Sequence, residues 1–386
     1  MLLLHLCRSR MKVLLFALAL FFIVATILPF FREPYWWVRM FDFPRVQLAV
    51  GGVVILGLFL LFYQEGDQFF SGPVTWVDYA VLGLLGLSVV YQVGRILPYT
   101  KLYPVESVRA DDVEAERSFR LVVTNVLMEN READKWLRVV RAAEPDLVLA
   151  VETDDWWDEH AAALDEDLPH TVKLPQDNTY GMLLFSRWPL HDLEIKRLVE
   201  EDVPSLWGSF ELPSGDRVRF VFIHPRPPRP DLPQHSHFRD AELVLVAEEI
   251  EGVEGAILVA GDLNDVAWSY TTRLFQKLSG LLDPRIGRGL YSTFHADYVV
   301  LRWPLDHLFH SDELQLVSFR RLDHVGSDHF PMLIELVHRP RQEEEQDEPE
   351  ADGGDREQAE EILEDAAERK ADETPEEKRE KQKEDR

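Results

Sequence analysis

Carboxylates, amides and imidazoles recur in this sequence directly beside short apolar runs. Asn125 stands near the end of the run Phe119 to Val126, and Glu152 follows Leu-Val-Leu-Ala-Val. His224 follows Phe-Val-Phe-Ile. Asp262 and Asn264 follow Ile-Leu-Val-Ala within Gly261-Asp262-Leu263-Asn264. Asp306 precedes Leu308-Phe309, and Ser327-Asp328-His329 precedes a last apolar run. Such groups can hold a hard cation, move a proton or bind an anion. Singly, each also has an ordinary use. Glu152 could cap a helix, Asn125 and Asp262 could make turns, and His329 could be a satisfied core histidine. His224, followed by the proline-rich Pro225 to Pro233, could simply mark a loop.

Chemistry at these positions needs strands that end side by side, because ligand sites in open α/β sheets lie at strand ends. The pattern supplies them. Phe119 to Val126, Leu147 to Val151, Gly181 to Phe185, Arg217 to Ile223, Ala256 to Ala260 and Met332 to Val337 read as strands. Glu132 to Ala143 reads as a helix whose stripe is Trp136, Val139, Val140 and Ala143, ended by Pro145. Trp157 to Leu164 and His237 to Ile250 are helix-like. Strands mixed with helices at this spacing imply an α/β or α+β sandwich over residues 118–338.

The two ends of the chain differ in kind from this middle. Val13 to Phe31, Val46 to Tyr63 and Val77 to Leu97 are apolar runs of membrane-spanning or near-spanning length, edged by Tyr35, Trp36, Trp37, Trp76 and Tyr99. They predict a transmembrane region over residues 1–100 with about three helices, in a multi-pass protein of the plasma membrane. No A-x-A-like cleavage site follows the first run. Arg8, Arg10 and Lys12 favour an inside amino end and an outside soluble domain, whereas Arg32, Arg39 and Arg45 oppose that orientation. Residues 101–117 read as a polar linker.

The net charge is -28, and about 12 of those charges belong to residues 341–386. The acidity argues against a protein that wraps duplex nucleic acid. Residues 339–386 read as a disordered, charged and dispensable tail, apart from a transient helix around Glu357 to Lys370. The single cysteine, Cys7, excludes an internal disulfide and a cysteine-built zinc site.

Taken in order, Asn125, Glu152, the strand Tyr180-Gly181-Met182-Leu183-Leu184-Phe185-Ser186-Arg187, His224, Gly-Asp-Leu-Asn at 261–264, Leu-Asp-His-Leu-Phe at 305–309 and Ser-Asp-His at 327–329 form a set. That set resembles the endonuclease/exonuclease/phosphatase (DNase I-like) superfamily, and with its leading apolar runs a bacterial membrane-bound branch. The resemblance spans Phe119 to Val337. It implies a four-layer α/β sandwich, two packed β-sheets flanked by helices. It also implies hydrolysis of a phosphodiester or phosphomonoester with Mg2+, or with Mn2+ in its place. Magnesium takes hard oxygen ligands and keeps several waters, so Glu152 would be the main ligand, with Asn125 and Asp328 completing the shell. Asp262 would polarise or deprotonate the attacking water, and Asn264 would position the water or the phosphate. His329, oriented by Asp306, would bind the scissile phosphate or transfer a proton, and His224 would donate to a non-bridging oxygen. Which of Asp262 and His329 is the base stays open at this point.

The loop Pro225 to Pro233 departs from the pattern of DNA-repair members, which weakens an abasic-site nuclease reading. Arg226 and Arg229 in that loop would lend local positive potential for substrate. The substrate classes implied are nucleic acid, phospholipid or a small phosphoester. The lipid bilayer is the expected surroundings, and nothing points to an obligate protein partner. The opposing reading, a catalytically inactive membrane scaffold, sits poorly with a complete set of site residues.

Overall fold

The computed structural model describes residues 2–31, 35–64, 75–227, 235–340 and 346–372. A helix with apolar residues all round has no polar face to turn to water. α1 (Leu2–Ile27), α3 (Arg45–Gln64) and α4 (Trp76–Ile96) are such helices, with the short α2 (Trp36–Arg39) after the first. The three long ones pack around Ala19, Ile55, Phe59 and Leu85, yet Leu20, Phe21, Val53, Leu61 and Leu87 on their outer side are exposed. Met11–Phe31 and Trp76–Tyr99 are long and apolar enough to cross a membrane; Arg45–Leu61 is apolar but shorter. Three runs in sequence thus become three helices, two of them of spanning length.

Beyond them the chain alternates strands and helices: β1 (Ser118–Asn125), α5 (Ala133–Ala142), β2 (Leu147–Val151), α6 (Asp155–Ala161), β3 (His170–Leu174) and β4 (Met182–Ser186). Then come β5 (Leu190–Lys196), β6 (Ser205–Glu211), β7 (Arg217–Phe222), α7 (His235–Ile250), β8 (Ile257–Asp262) and α8 (Tyr270–Ser279). β9 (Asp306–His310), β10 (Leu314–Arg321), β11 (Met332–His338) and α9 (Gly353–Asp372) complete the order. One sheet runs β10-β11-β1-β2-β4-β3 and the other β5-β6-β7-β8-β9.

The strand sequences dictate the layering. β1 sends Leu121 and Val123 between the sheets and Val122 outward; β2 sends Leu149 and Val151 inward and Val148 and Ala150 outward. Strands covered on both faces need such unbroken apolar runs. The inner faces meet through Leu121, Leu149, Phe220 and Leu258. Trp136 of α5 and Trp157 of α6 cover the outside of the first sheet, and α7 and α8 cover the second with Leu243, Val244 and Phe275. Helix, sheet, sheet and helix form the four-layer α/β sandwich.

Both segments expected to be loose are fastened. Within residues 101–117, Glu106 accepts from Gln276 Nε2 and from the Asp283 N–H, each at 2.6 Å, and the buried Ser107 Oγ lies 2.7 Å from His310 Nε2. In the tail, the Gln346 side chain accepts from the Val108 N–H and donates to the carbonyls of Asp312 and Leu314. α9 then packs on α7 through Ala359, Ile362, Leu363 and Ala366. Those positions are spaced i, i+3, i+4 and i+7, a narrow apolar stripe in a charged segment. Arg356 pairs with Glu251 at 2.6 Å and Lys277 with Asp355 at 2.7 Å. The disordered-tail reading is therefore corrected for residues 346–372; residues 341–345 and 373–386 lie outside the described residues. Truncation after Arg339 should cost about 2 kcal/mol, or about 4–8 °C in Tm; an unchanged melting curve would show that α9 adds nothing.

The helical region and the sandwich are joined by buried polar contacts. Arg39 Nη2 donates to Asp240 Oδ2 at 2.5 Å, with both residues buried. The Trp268 indole donates to the Asp42 carbonyl at 2.7 Å, and the Tyr99 hydroxyl donates to the Ala267 carbonyl at 2.5 Å. Arg95 donates to the Trp268 carbonyl. Phe43 and Val46 pack into the same apolar cluster as Tyr99, Val266 and Trp268.

Candidate active site

Strand register brings the polar residues to one place. β1 and β2 run parallel with Asn125 opposite Val151, so Asn125 and Glu152 emerge together. β8 and β9 run antiparallel with Asp262 opposite Asp306. Because the sheets pack face to face, the Asn125 amide reaches both: Nδ2 donates to Glu152 Oε1 at 2.7 Å and to Asp262 Oδ2 at 3.0 Å. Its oxygen accepts from the Leu127 N–H at 2.9 Å, and that donor fixes which way the amide faces. In this orientation Asn125 holds two carboxylates in place. Its oxygen keeps a second lone pair beside the one that accepts from Leu127.

The backbone is shaped for the same end. Glu152 and Asn264 have φ of 60° and 51°, a left-handed conformation that side chains rarely adopt and that clusters at functional sites. A Cβ on Gly261 would stand 1.8 Å from the Ile223 carbonyl oxygen, and one on Gly181 would stand 1.9 Å from the Thr153 oxygen. Only glycine lets β8 approach the end of β7 beside His224, and only glycine lets the chain before β4 approach the residue after Glu152. Gly261→Ala should cost about 1–3 kcal/mol by overpacking and displace Asp262. A thermal melt and an activity assay check this, and native values in both would refute the close-approach argument.

On the second sheet the His329 Nδ1–H donates to Asp306 Oδ2 at 2.8 Å, and His329 Nε2 lies 3.5 Å from Asp262 Oδ2. Ser327 Oγ accepts from the His329 N–H at 3.0 Å. Asp262 Oδ1 accepts from the Asn264 N–H at 2.9 Å, and Asn264 Nδ2 donates to the Pro225 carbonyl at 3.0 Å. His224 Nε2 stands 4.0 Å from Asp262 Oδ2; among the described residues, neither ring nitrogen of this buried side chain has a hydrogen-bond partner. Buried polar atoms without partners are uncommon and call for an explanation, and a bound anion would supply one.

Asp328 is half-buried and close enough for its charge to act on Glu152 and His329. Arg226 is the exception among the expected residues. It is buried, pairs with Glu200 at 2.8 Å and with Asp202, and lies over the Tyr180 ring. Two carboxylates offset the positive potential expected of it. Arg229 lies outside the described residues.

The charges are poised unequally. Glu152 keeps part of its surface open, but burial pushes its carboxyl up to about 7 despite the Asn125 hydrogen bond. Burial also raises Asp262, against the pull of His329. Burial alone would lower His329, but Asp306 and Asp262 outweigh it and raise the imidazole to about 10. His224 is lowered to about 4 by burial. At neutral pH the site therefore holds a charged His329 and a neutral His224.

Several carboxylates converge here and the one imidazolium only partly compensates them. Ligand atoms of Glu152, His224 and Asp262 lie within 4.8 Å of one another, as do those of Asp262, Asp306 and His329. An oxygen-rich, buried, negative set fits a hard divalent cation.

Sequence reasoning missed Arg239. Fully buried on α7, it donates to the Asn264 carbonyl at 2.8 Å and to Asp240 Oδ1 at 2.7 Å, and sits 3.4 Å from Asp265. An arginine inside an amphipathic stretch gives no local signal of this task. Thr293, whose hydroxyl accepts from the Asp306 N–H at 3.3 Å, lies in a loop with no motif.

The profile of the endonuclease/exonuclease/phosphatase family matches residues 122–329, more than half of the chain. The chain belongs to that family and is a metal-dependent hydrolase of phosphoesters. Among solved structures it is similar to an endonuclease/exonuclease/phosphatase from Beutenbergia cavernae DSM 12333, with 19% identity and a TM-score of 0.48 over 58% of this chain and 72% of that one. It is also similar to the human Nocturnin catalytic domain (17%, TM-score 0.47, 62% of this chain and 99% of that one). A mannosyl-6-phosphatase from Bacteroides thetaiotaomicron VPI-5482 is similar at 17% and a TM-score of 0.44, over 57% and 99%. No curated protein matches the chain.

Proposed function

We propose that this protein is a membrane-anchored phosphoesterase that uses Mg2+, or Mn2+ in its place, to hydrolyse a phosphodiester or phosphomonoester. The observation that carries the reading is the Asn125 amide bridging Glu152 and Asp262 beside the Asp306–His329 pair. Glu152, with Asp328, would hold the ion. When bound, the ion neutralises charge on the phosphoryl oxygens.

The remaining steps belong to side chains. Asp262 accepts the proton of the attacking water, since a carboxyl raised by burial is a better base than a free one. His329, already protonated and held by Asp306, donates to the phosphate and cannot serve as the base near neutral pH. Asn264, its amide nitrogen anchored on Pro225, leaves its oxygen to orient the water. His224 donates to a non-bridging oxygen, which would satisfy its orphaned ring. Membrane anchoring rests on the apolar outer side of α1, α3 and α4. Three spans with the amino end inside would place the sandwich outside, near lipid head groups.

The test is hydrolysis by the full chain in neutral detergent, with Mg2+, against bis-p-nitrophenyl phosphate, single-stranded DNA, duplex DNA and sphingomyelin. Turnover of at least one substrate that Asp262→Asn and His329→Ala both abolish is expected. Turnover that survives both changes would assign the chemistry elsewhere, and silence on every substrate would favour the scaffold.

A further inference from the structure

Where α3 meets the sandwich there is an open groove of about 900 Å³. Its apolar wall is built by Val46, Val50 and Gly51 of α3 and by Val299 and Val300 of the loop before β9. Its other wall carries Arg302, Arg320 and Arg321. In a chain of net charge -28, these three arginines make no ion pair among the described residues. Arg302 donates only to the carbonyls of His295 and Ala296, and Arg321 to that of Ser292. The guanidinium groups of Arg302 and Arg321 both lie over the Phe330 ring, at 4.9 and 4.2 Å from its centre. Like charges gathered on one ring repel, and an anion between them would relieve that repulsion.

The loop itself is shaped for an interface with lipid. Tyr298, Val299, Val300 and Leu301 are four consecutive exposed apolar residues. The Gln47 side chain at the start of α3 donates to the Val300 carbonyl at 2.6 Å, which fixes the loop tip beside the apolar helix.

We propose that this groove binds an anionic phospholipid of the surrounding bilayer. The headgroup phosphate lies among Arg302, Arg320 and Arg321, and the acyl chain lies along α3. The site is distinct from the Glu152–Asp262–His329 centre, and it rests on the membrane reading above, though not on catalysis. Arginine forks suit phosphate oxygens, and a chain of methylenes suits the valine wall. Phe330, against which the arginines rest, directly follows His329, so an occupied groove would seat the catalytic edge against the bilayer.

The full chain in dodecyl maltoside is titrated with dioleoylphosphatidylglycerol, with dioleoylglycerol and with inorganic phosphate, and bound ligand is read by native mass spectrometry. The first should bind one per chain and bind tightest. Arg320→Gln with Arg321→Gln should weaken it by about tenfold or more, as expected for lost charge-assisted hydrogen bonds, and so should Val299→Asp through the apolar wall. Equal binding of dioleoylglycerol would overturn phosphate recognition. Equal binding of inorganic phosphate would overturn the lipid. Unchanged affinity in both variants would overturn the location. Hydrolysis of bis-p-nitrophenyl phosphate, read in parallel, should persist in the arginine variant. If the lipid binds as described while the wild-type chain hydrolyses nothing, the hydrolase reading fails and this one stands.

Discussion

Asp262→Asn should lower kcat by about 10²–10⁴-fold, the usual contribution of a positioned general base, and leave the fold intact. The replacement keeps the shape. Its oxygen keeps the bond from the Asn264 N–H in the place of Asp262 Oδ1 (2.9 Å), while its NH2 takes the place of Oδ2 and gives up the bond from the Asn125 amide (3.0 Å). What is lost is the proton acceptor and the charge facing His329 at 3.5 Å. His329→Ala and Asp306→Ala should each cost a comparable factor, but the double variant should lose little more than either alone. A residue that works only through its partner has no separate contribution to lose. Steady-state rates on one phosphodiester decide the matter: multiplicative losses would mean that Asp306 acts independently of His329.

Arg39→Met should destabilise the full chain by about 3–5 kcal/mol, the cost of breaking a buried ion pair. Arg131→Met, which breaks the exposed pair with Asp154 at 2.8 Å, should cost no more than about 1 kcal/mol. The effect should also reach the active site. Asp240, the partner of Arg39, holds Arg239, which donates to the carbonyl of Asn264. Arg39→Met should therefore lower kcat although it lies in the segment between two apolar helices. A melt and a rate measurement on the same preparation test both parts. A variant as stable and active as the wild type would mean that the helices are only an anchor.

The parts of this structure legible in the sequence are those whose burial is total. β1, β2, β8, β11 and the second half of β7 are covered on both faces and read as apolar runs, and the polar residues at the ends of these strands gather at the site. β5 was not legible, because Leu-His-Asp-Leu-Glu-Ile-Lys is an edge strand with mostly exposed side chains and no clean alternation. α8 carries its own stop and start, Ser269 as N-cap and Gly280 in the left-handed C-cap, but lies in a stretch without a long apolar run. α9 is legible as a transient helix around Glu357 to Lys370, but its packing on α7 is not, because average composition conceals a stripe of four small or apolar positions. Within the site, sequence order singled out Glu152, Asp262, Asp306 and His329, which the fold brings together. It could not reveal that Asn125 spends both ends of its amide on neighbours, nor that Arg226 is held by Glu200 and Asp202. Those facts depend on which groups tertiary packing brings close.

The recess around Glu152 should hold a divalent cation for phosphoester hydrolysis, and calorimetric titration of Mg2+ and Mn2+ into the full chain at several pH values, with Glu152→Gln alongside, tests this. The Glu152 carboxyl, raised to about 7 by burial and by the negative charges of Asp262 and Asp328 against the Asn125 hydrogen bond and His329, must lose its proton before it can hold the ion. Affinity should therefore rise about tenfold per pH unit below 7 and level off above it, and Glu152→Gln should abolish binding. Affinity that Glu152→Gln leaves unchanged would contradict the account.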